Sequence, residues 1–179
     1  SFGAAASLST GQYPTGLVAA DLNGDGRPDL VSPDSGLSSV SVLLATGPGT
    51  WGSPATYVAG SGPQAAAIGD LNRDGKLDVV TANTSAGTIS VLPGNGSGGF
   101  GTATSVATCS GANAVALADF DLDNDLDVAV TCPSASQVSV LLNNGSGSLS
   151  NWALGPTGAT PKHIAIGDLP LGMVESPDG

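Results

Sequence analysis

Aspartates at positions 21, 70, 119 and 168 stand 49 residues apart. A second marker keeps the same step: Phe2-Gly3, Trp51-Gly52 and Phe100-Gly101, with Leu149-Ser150 as a weaker fourth copy. Two independent markers on one period constrain the fold more than any other feature of the chain. Each copy is a structural unit too small to bury its own apolar face, so successive copies must stack and share a core.

The content of one copy fixes what kind of unit stacks. A short apolar segment comes first (16–20, 65–69, 114–118 and 164–167), then an acidic loop, then a second apolar segment such as 29–32 or 78–81. The third segment alternates, as in Val40-Ser41-Val42 and Val138-Ser139-Val140, which is the period of a strand with one face apolar. Asn95-Gly96-Ser97-Gly98 and Asn144-Gly145-Ser146-Gly147 supply tight turns, and a polar fourth segment such as 102–108 follows. No stretch has helical periodicity. The expected fold is all-β, a β-propeller whose blades are four antiparallel strands. Residues 1–168 form the array and 169–179 a divergent tail. Counting strands gives three full blades plus orphan terminal strands, an incomplete wheel whose open faces predict self-association, most simply a dimer that closes the ring, the alternative being a fragment of a longer chain.

The loops between first and second strands carry the chemistry. Loop one runs Asp21, Asn23, Asp25, Arg27, Asp29 at positions 1, 3, 5, 7 and 9. Loop two runs Asp70, Asn72, Asp74, Lys76, Asp78, and loop three Asp119, Asp121, Asp123, Asp125, Asp127. Side-chain oxygens at positions 1, 3, 5 and 9, with the position-7 carbonyl, surround one hard cation from a single turn, and all-oxygen ligation favours Ca²⁺ over Mg²⁺ or Mn²⁺. One His and two Cys cannot build a zinc site at these loops. An EF-hand is excluded too, since position 12 is Ser32, Thr81 or Val130 instead of Glu, and the flanks are strands. Loop three is the outlier, with five carboxylates and no basic residue of its own. The fourth copy keeps Asp168 but has Pro170 and Gly172 where ligands belong.

Asp-Leu-Asn-Gly-Asp-Gly-Arg-Pro-Asp-Leu-Val from Asp21, its near copy from Asp70, and the aromatic-Gly markers resemble the FG-GAP/VCBS repeat family, whose blades also build integrin alpha-subunit propellers. The resemblance implies calcium held in the hairpin between strands one and two, and the acidic loops of this chain lead to an expectation of two to four ions per chain. It also implies an extracellular or periplasmic setting and a role in binding a small molecule, a glycan or a protein. An alternative class stays open. Calcium with water-filled positions acts as a Lewis acid, so a phosphoester hydrolase with a two-ion site at Asp119–Asp127 is the competing reading, with Asp123 and Asp125 as candidate catalytic residues.

The remaining features bound the function further. A formal charge of −11 from 15 acids against four Lys and Arg, with no basic patch, excludes nucleic acid and anionic membrane surfaces as partners. No apolar run reaches the roughly 18–20 residues of a membrane span. Cys109 and Cys132 fall at adjacent hairpin ends of the third blade, where a disulfide or two buried thiols would fit. Asn83, Asn95 and Asn144 open glycosylation acceptor triplets that also read as turns. His163 stands where Gly16, Ala65 and Ala114 stand in the other copies and reads as a strand-end residue. Trp51 and Phe100 are expected to pack between blades, and Trp152, which breaks the repeat, to face a ligand.

Overall fold

The computed structural model describes residues 7–158 and 160–166. The first aromatic marker, Asp168 and the tail lie outside the described residues, as does the side chain of Trp152. Blade one contains β1 (Val18–Ala20), β2 (Asp29–Asp34) and β3 (Ser39–Leu43), then a small ribbon of β4 (Ala45–Gly47) and β5 (Thr50–Trp51), and an outer strand β6 (Ala55–Val58). Blade two contains β7 (Pro63–Gly69), β8 (Asp78–Asn83), β9 (Thr88–Leu92) and β10 (Thr104–Ala107). Blade three contains β11 (Ala114–Ala118), β12 (Asp127–Cys132), β13 (Gln137–Asn143) and β14 (Leu149–Pro156). Each sheet is antiparallel and ordered as the chain runs, and none of the three closes on itself. The expected all-β, blade-built architecture is therefore what the chain adopts. Its one helical turn among the described residues is the 3₁₀ segment Pro133–Ala135.

Alternation in the third strands sets the register. Val31 pairs with Val42 and Ser32 with Ser41, and in blade two Val80 pairs with Val91 and Thr81 with Ser90. Like therefore sits opposite like, and each sheet offers one apolar face and one mixed face. At each seam the facing sides of adjacent blades cover one another. Val31, Val40 and Val42 of blade one meet Val79 and Leu92 of blade two. Val80, Ala82, Ile89 and Val91 of blade two meet Val128, Val130 and Leu141 of blade three. Each of these Val, Leu and Ile side chains contributes about 1.5–3 kcal/mol on full burial. The seams also hold the expected aromatic: Phe100 meets Tyr57 of blade one edge to face, centroids 5.4 Å apart.

A third repeated feature links the connection entering each blade to the end of that blade's second strand. A Cβ on Gly11 would fall 2.4 Å from the Asp34 carboxylate, and one on Gly60 would fall 2.3 Å from the Asn83 amide. Blade three replaces this glycine–Asx pair with Cys109 and Cys132, whose Cα atoms lie 5.9 Å apart and whose sulfurs form a disulfide. Asn83 is fully buried and its amide donates to Thr88 and Ser90 hydroxyls, which removes it as a glycosylation acceptor. Asn95 and Asn144 are exposed in their turns.

Candidate metal centre

The acidic loops fold by winding their own amides around their carboxylates. In loop one the Asp21 carboxylate accepts from Gly24 N (2.8 Å), Asp25 N and Gly26 N (2.7 Å). Asp70 accepts from Asp74 N and Gly75 N, and Asp119 from the amides of Leu122, Asp123 and Asn124. The position-5 carboxylates of Asp25, Asp74 and Asp123 each accept from the position-7 amide. These nested Asx turns need left-handed backbone at positions 4 and 6. Gly24 and Gly26 supply it in loop one, Arg73 and Gly75 in loop two, and Leu122 and Asn124 in loop three.

Position 9 has a second duty. Asp29, Asp78 and Asp127 are buried, and each carboxylate accepts one amide at the start of its loop and another at or just after the end of its third strand. This residue anchors the loop to the sheet. In loop three it also faces Asp119 and Asp121, and one carboxylate oxygen from each lies within 4.8 Å of the others. Three convergent carboxylates with no nitrogen or sulfur donor fit a hard cation such as Ca²⁺ and do not fit zinc. Asn23 and Asn72 take the place of Asp121 in the other loops, each bonded to the following position-5 amide.

The electrostatics of the loops are uneven. Asp121 titrates above its ordinary range, first through loss of solvation and then through the Asp123 and Asp127 carboxylates. Burial raises Asp78 against the lowering effect of the Gly94 and Leu71 amides. Asp21 is held low chiefly by the Gly26 N–H. At Asp74, desolvation pushes upward but is outweighed by the Lys76 amide and ammonium. Arg27 and Lys76, at position 7, pair with Asp25 (3.9 Å) and Asp74 (3.4 Å) of their own loops.

Two stretches of the chain match a family model described as "FG-GAP-like repeat", residues 21–81 and 70–130. The chain belongs to the FG-GAP-like repeat family. Each match begins at the first aspartate of an acidic loop and runs past one period into the next blade, and the two matches start one 49-residue step apart. Two crystal structures of BBS1N in complex with ARL6DN, soaked with mercury and with lead, are similar to this chain at 14% and 15% identity with TM-scores of 0.45 and 0.42. In both, the match covers 86% of this chain and 57% of the matched one, so this chain spans little more than half of that chain's length. No curated protein matches the sequence.

Loop three is not left to balance its own charge. Arg73 reaches across from loop two: its Nε pairs with the Asp125 carboxylate and its Nη2 donates to the Asp123 carbonyl at 3.4 Å. Asp125 is only 7% exposed. Its carboxylate is therefore engaged, whereas the sequence leaves it free for a second ion or for base catalysis. Asp123 stays exposed on the loop. Sequence reasoning also misses Asn143, whose Nδ2 donates to Leu71 O of loop two (2.7 Å) and Leu126 O of loop three (3.0 Å). The available signal was that both residues break the repeat: Arg73 stands where loop one has Gly24, and Asn143 where the other blades have Ala45 and Gly94.

Proposed function

We propose that this chain is a calcium-binding β-propeller module for extracellular or periplasmic interaction, in which calcium braces the hairpin between the first two strands of each blade. The convergence of Asp119, Asp121 and Asp127 carries this reading, because three carboxylates at this separation repel one another until a cation joins them. Asp21, Asn23, Asp25 and Asp29, and Asp70, Asn72, Asp74 and Asp78, would hold calcium in the other two loops, each with its position-7 carbonyl. The bound ion supplies charge neutralisation. The protein's own amides supply the loop shape that the bound ion holds closed. The Cys109–Cys132 disulfide supports an oxidising compartment.

A second copy of the chain is the partner the outer faces fit. Half-buried Leu30 and already buried Leu43 of blade one are the counterparts of Val79 and Leu92, which pack on the preceding blade. Exposed Leu8 and Leu17 lie beside them. Val138 and Val140 of blade three, both half-buried, are the counterparts of Ile89 and Val91, which pack on the following blade. Docking one face on the other would repeat the seam already used twice within the chain. The ligand of the assembled module is a small molecule, a glycan or a protein.

Thermal unfolding with calcium and with EDTA tests the central claim. A ligand at a hundredfold excess over its Kd stabilises by about 2.7 kcal/mol, so a clear rise in Tm is expected in calcium and none in its absence. Light scattering on the same samples reads the mass of two chains if the faces dock. An unchanged Tm at millimolar calcium rejects the calcium reading.

A further inference from the structure

The two inter-blade junctions that carry acidic loops are not built alike. Between loop one and blade two, the hydrogen bond among the described residues is backbone to backbone: Gly98 N, in the turn after the third strand, donates to Leu22 O at 3.2 Å. Position 4 of loop one is Gly24, which has no side chain to extend, and Gly94 occupies the place after the third strand. Between loops two and three, both of those positions carry polar side chains that cross the seam. Arg73 leaves loop two at position 4 and engages Asp125 and the Asp123 carbonyl. Asn143 ties the Leu71 carbonyl of loop two to the Leu126 carbonyl of loop three, while its own backbone amide donates to Asp127 Oδ1. Gly147 N in turn donates to Asn143 Oδ1, which fixes the amide's orientation.

We infer that loops two and three are one coupled cation-binding unit, with Arg73 as its positioning residue, and that loop one binds independently. The inference rests on the calcium reading above. Arg73 holds a left-handed backbone, φ 58°, because loop two closes around Asp70 and Asp74. The direction of its side chain is thus set by the closed form of loop two. Its guanidinium then fixes positions 5 and 7 of loop three, the segment that presents the Asp123 carboxylate and the Asp125 carbonyl. A cation that orders loop two delivers Arg73 to a loop three already shaped for its own cation. By linkage, a cation in loop three must favour closure of loop two by the same factor. The nearly complete burial of Asp125 makes the link strong, since an Asp125 without Arg73 would be a buried, unpaired carboxylate.

Calorimetric titration with Ca²⁺ tests this, with loops disabled one at a time at position 5. Asp74→Ala is expected to weaken calcium binding at loop three by about fivefold or more, and Asp123→Ala to weaken loop two by the same factor. Asp25→Ala is expected to leave both unchanged. Replacing the pair by neutral groups, Arg73→Gln with Asp125→Asn, removes the link without stranding a buried charge. In that background Asp74→Ala should no longer affect loop three. Equal loop-three affinity with and without Asp74, in otherwise wild-type protein, overturns the coupling while the calcium reading stands. The Asp123→Ala arm gives the same decision if the Arg73 variants do not fold. No binding heat in wild type overturns the calcium reading and the coupling with it.

Discussion

Asp34 is a carboxylate fully withdrawn from water, and only one of its oxygens has a partner: Oδ2 accepts from Ser41 Oγ at 2.6 Å, while Oδ1 accepts from nothing. Blade two shows the remedy at the equivalent position. Asn83 accepts from Thr81 and donates to Thr88 and Ser90, so every polar group around it is used. Blade one has Ser32, Ser39 and Ser41 at those three places, and the first two hydroxyls lack partners. Asp34→Asn therefore gives an amide that donates where two hydroxyls can accept and removes a buried charge. We expect a gain of about 1–2 kcal/mol in urea unfolding at neutral pH, and a loss of stability would refute the comparison. A different residue exchange shows how the repeat absorbs change. Left-handed backbone recurs at Tyr13, Gly62 and Gly111, and a Cβ on Gly62 or Gly111 would meet Ser85 or Ser134. Blade one puts Tyr13 at that position and Gly36 opposite it, so the bulk has moved from one partner to the other. Neither change is intelligible without its mate, and no reading of one copy alone pairs them.

The loop is the element on which calcium and pH act. Asp121 has its titration raised above its ordinary value of 3.8, so the folded loop holds that proton more tightly than the unfolded chain does. Ionising it consequently costs the folded state stability as pH rises through and beyond this range, and the cost is absent where both states are protonated. Asparagine imitates the protonated acid. In EDTA, Asp121→Asn is expected to match wild type near pH 3 and to exceed it in Tm at neutral pH. In calcium the order should reverse, because the variant has given up an anionic ligand. A variant that is less stable than wild type in EDTA at neutral pH would count against carboxylate repulsion as the main strain in loop three. Much of this element was legible in the sequence: the spacing of the acids, the turn glycines and the flanking strands all follow from local chemistry. The Arg73–Asp125 pair was not, because it joins residues one period apart through the seam between blades. Asn143 escaped for the same reason. The ribbon of β4 and β5 was also unforeseen, since it rests on a two-residue strand that carries no periodicity.

At the scale of the molecule, stability resides in seams, each shared by two blades, and the 49-residue period says how many blades to expect but not how the seams differ. The column that faces the preceding blade is polar in blade two, Thr81, Asn83 and Ser90, and at the same places in blade three it becomes Val130, Cys132 and Ser139. The seam between blades two and three is thus the drier of the two, and both cysteines lie within its core, Cys132 with no exposure and Cys109 at 9%. Their disulfide closes a loop with a sequence separation of 23, which corresponds to about 3 kcal/mol of restricted unfolded-chain entropy. That loop spans β11 and β12 and includes all of acidic loop three. Replacing both cysteines by serine also puts two hydroxyls into an apolar seam, so the effect should concentrate there instead of spreading evenly along an array whose units interact only with their neighbours. We expect Cys109→Ser with Cys132→Ser to lower overall stability by about 3 kcal/mol or more, and the β11–β14 amides to lose hydrogen-exchange protection well before those of β2 and β3. If protection instead falls together in all three blades, the seams are not separable and the array unfolds as one unit. The calcium dependence of that profile carries a second comparison, since ordering loop three would restore part of what the missing disulfide no longer restrains.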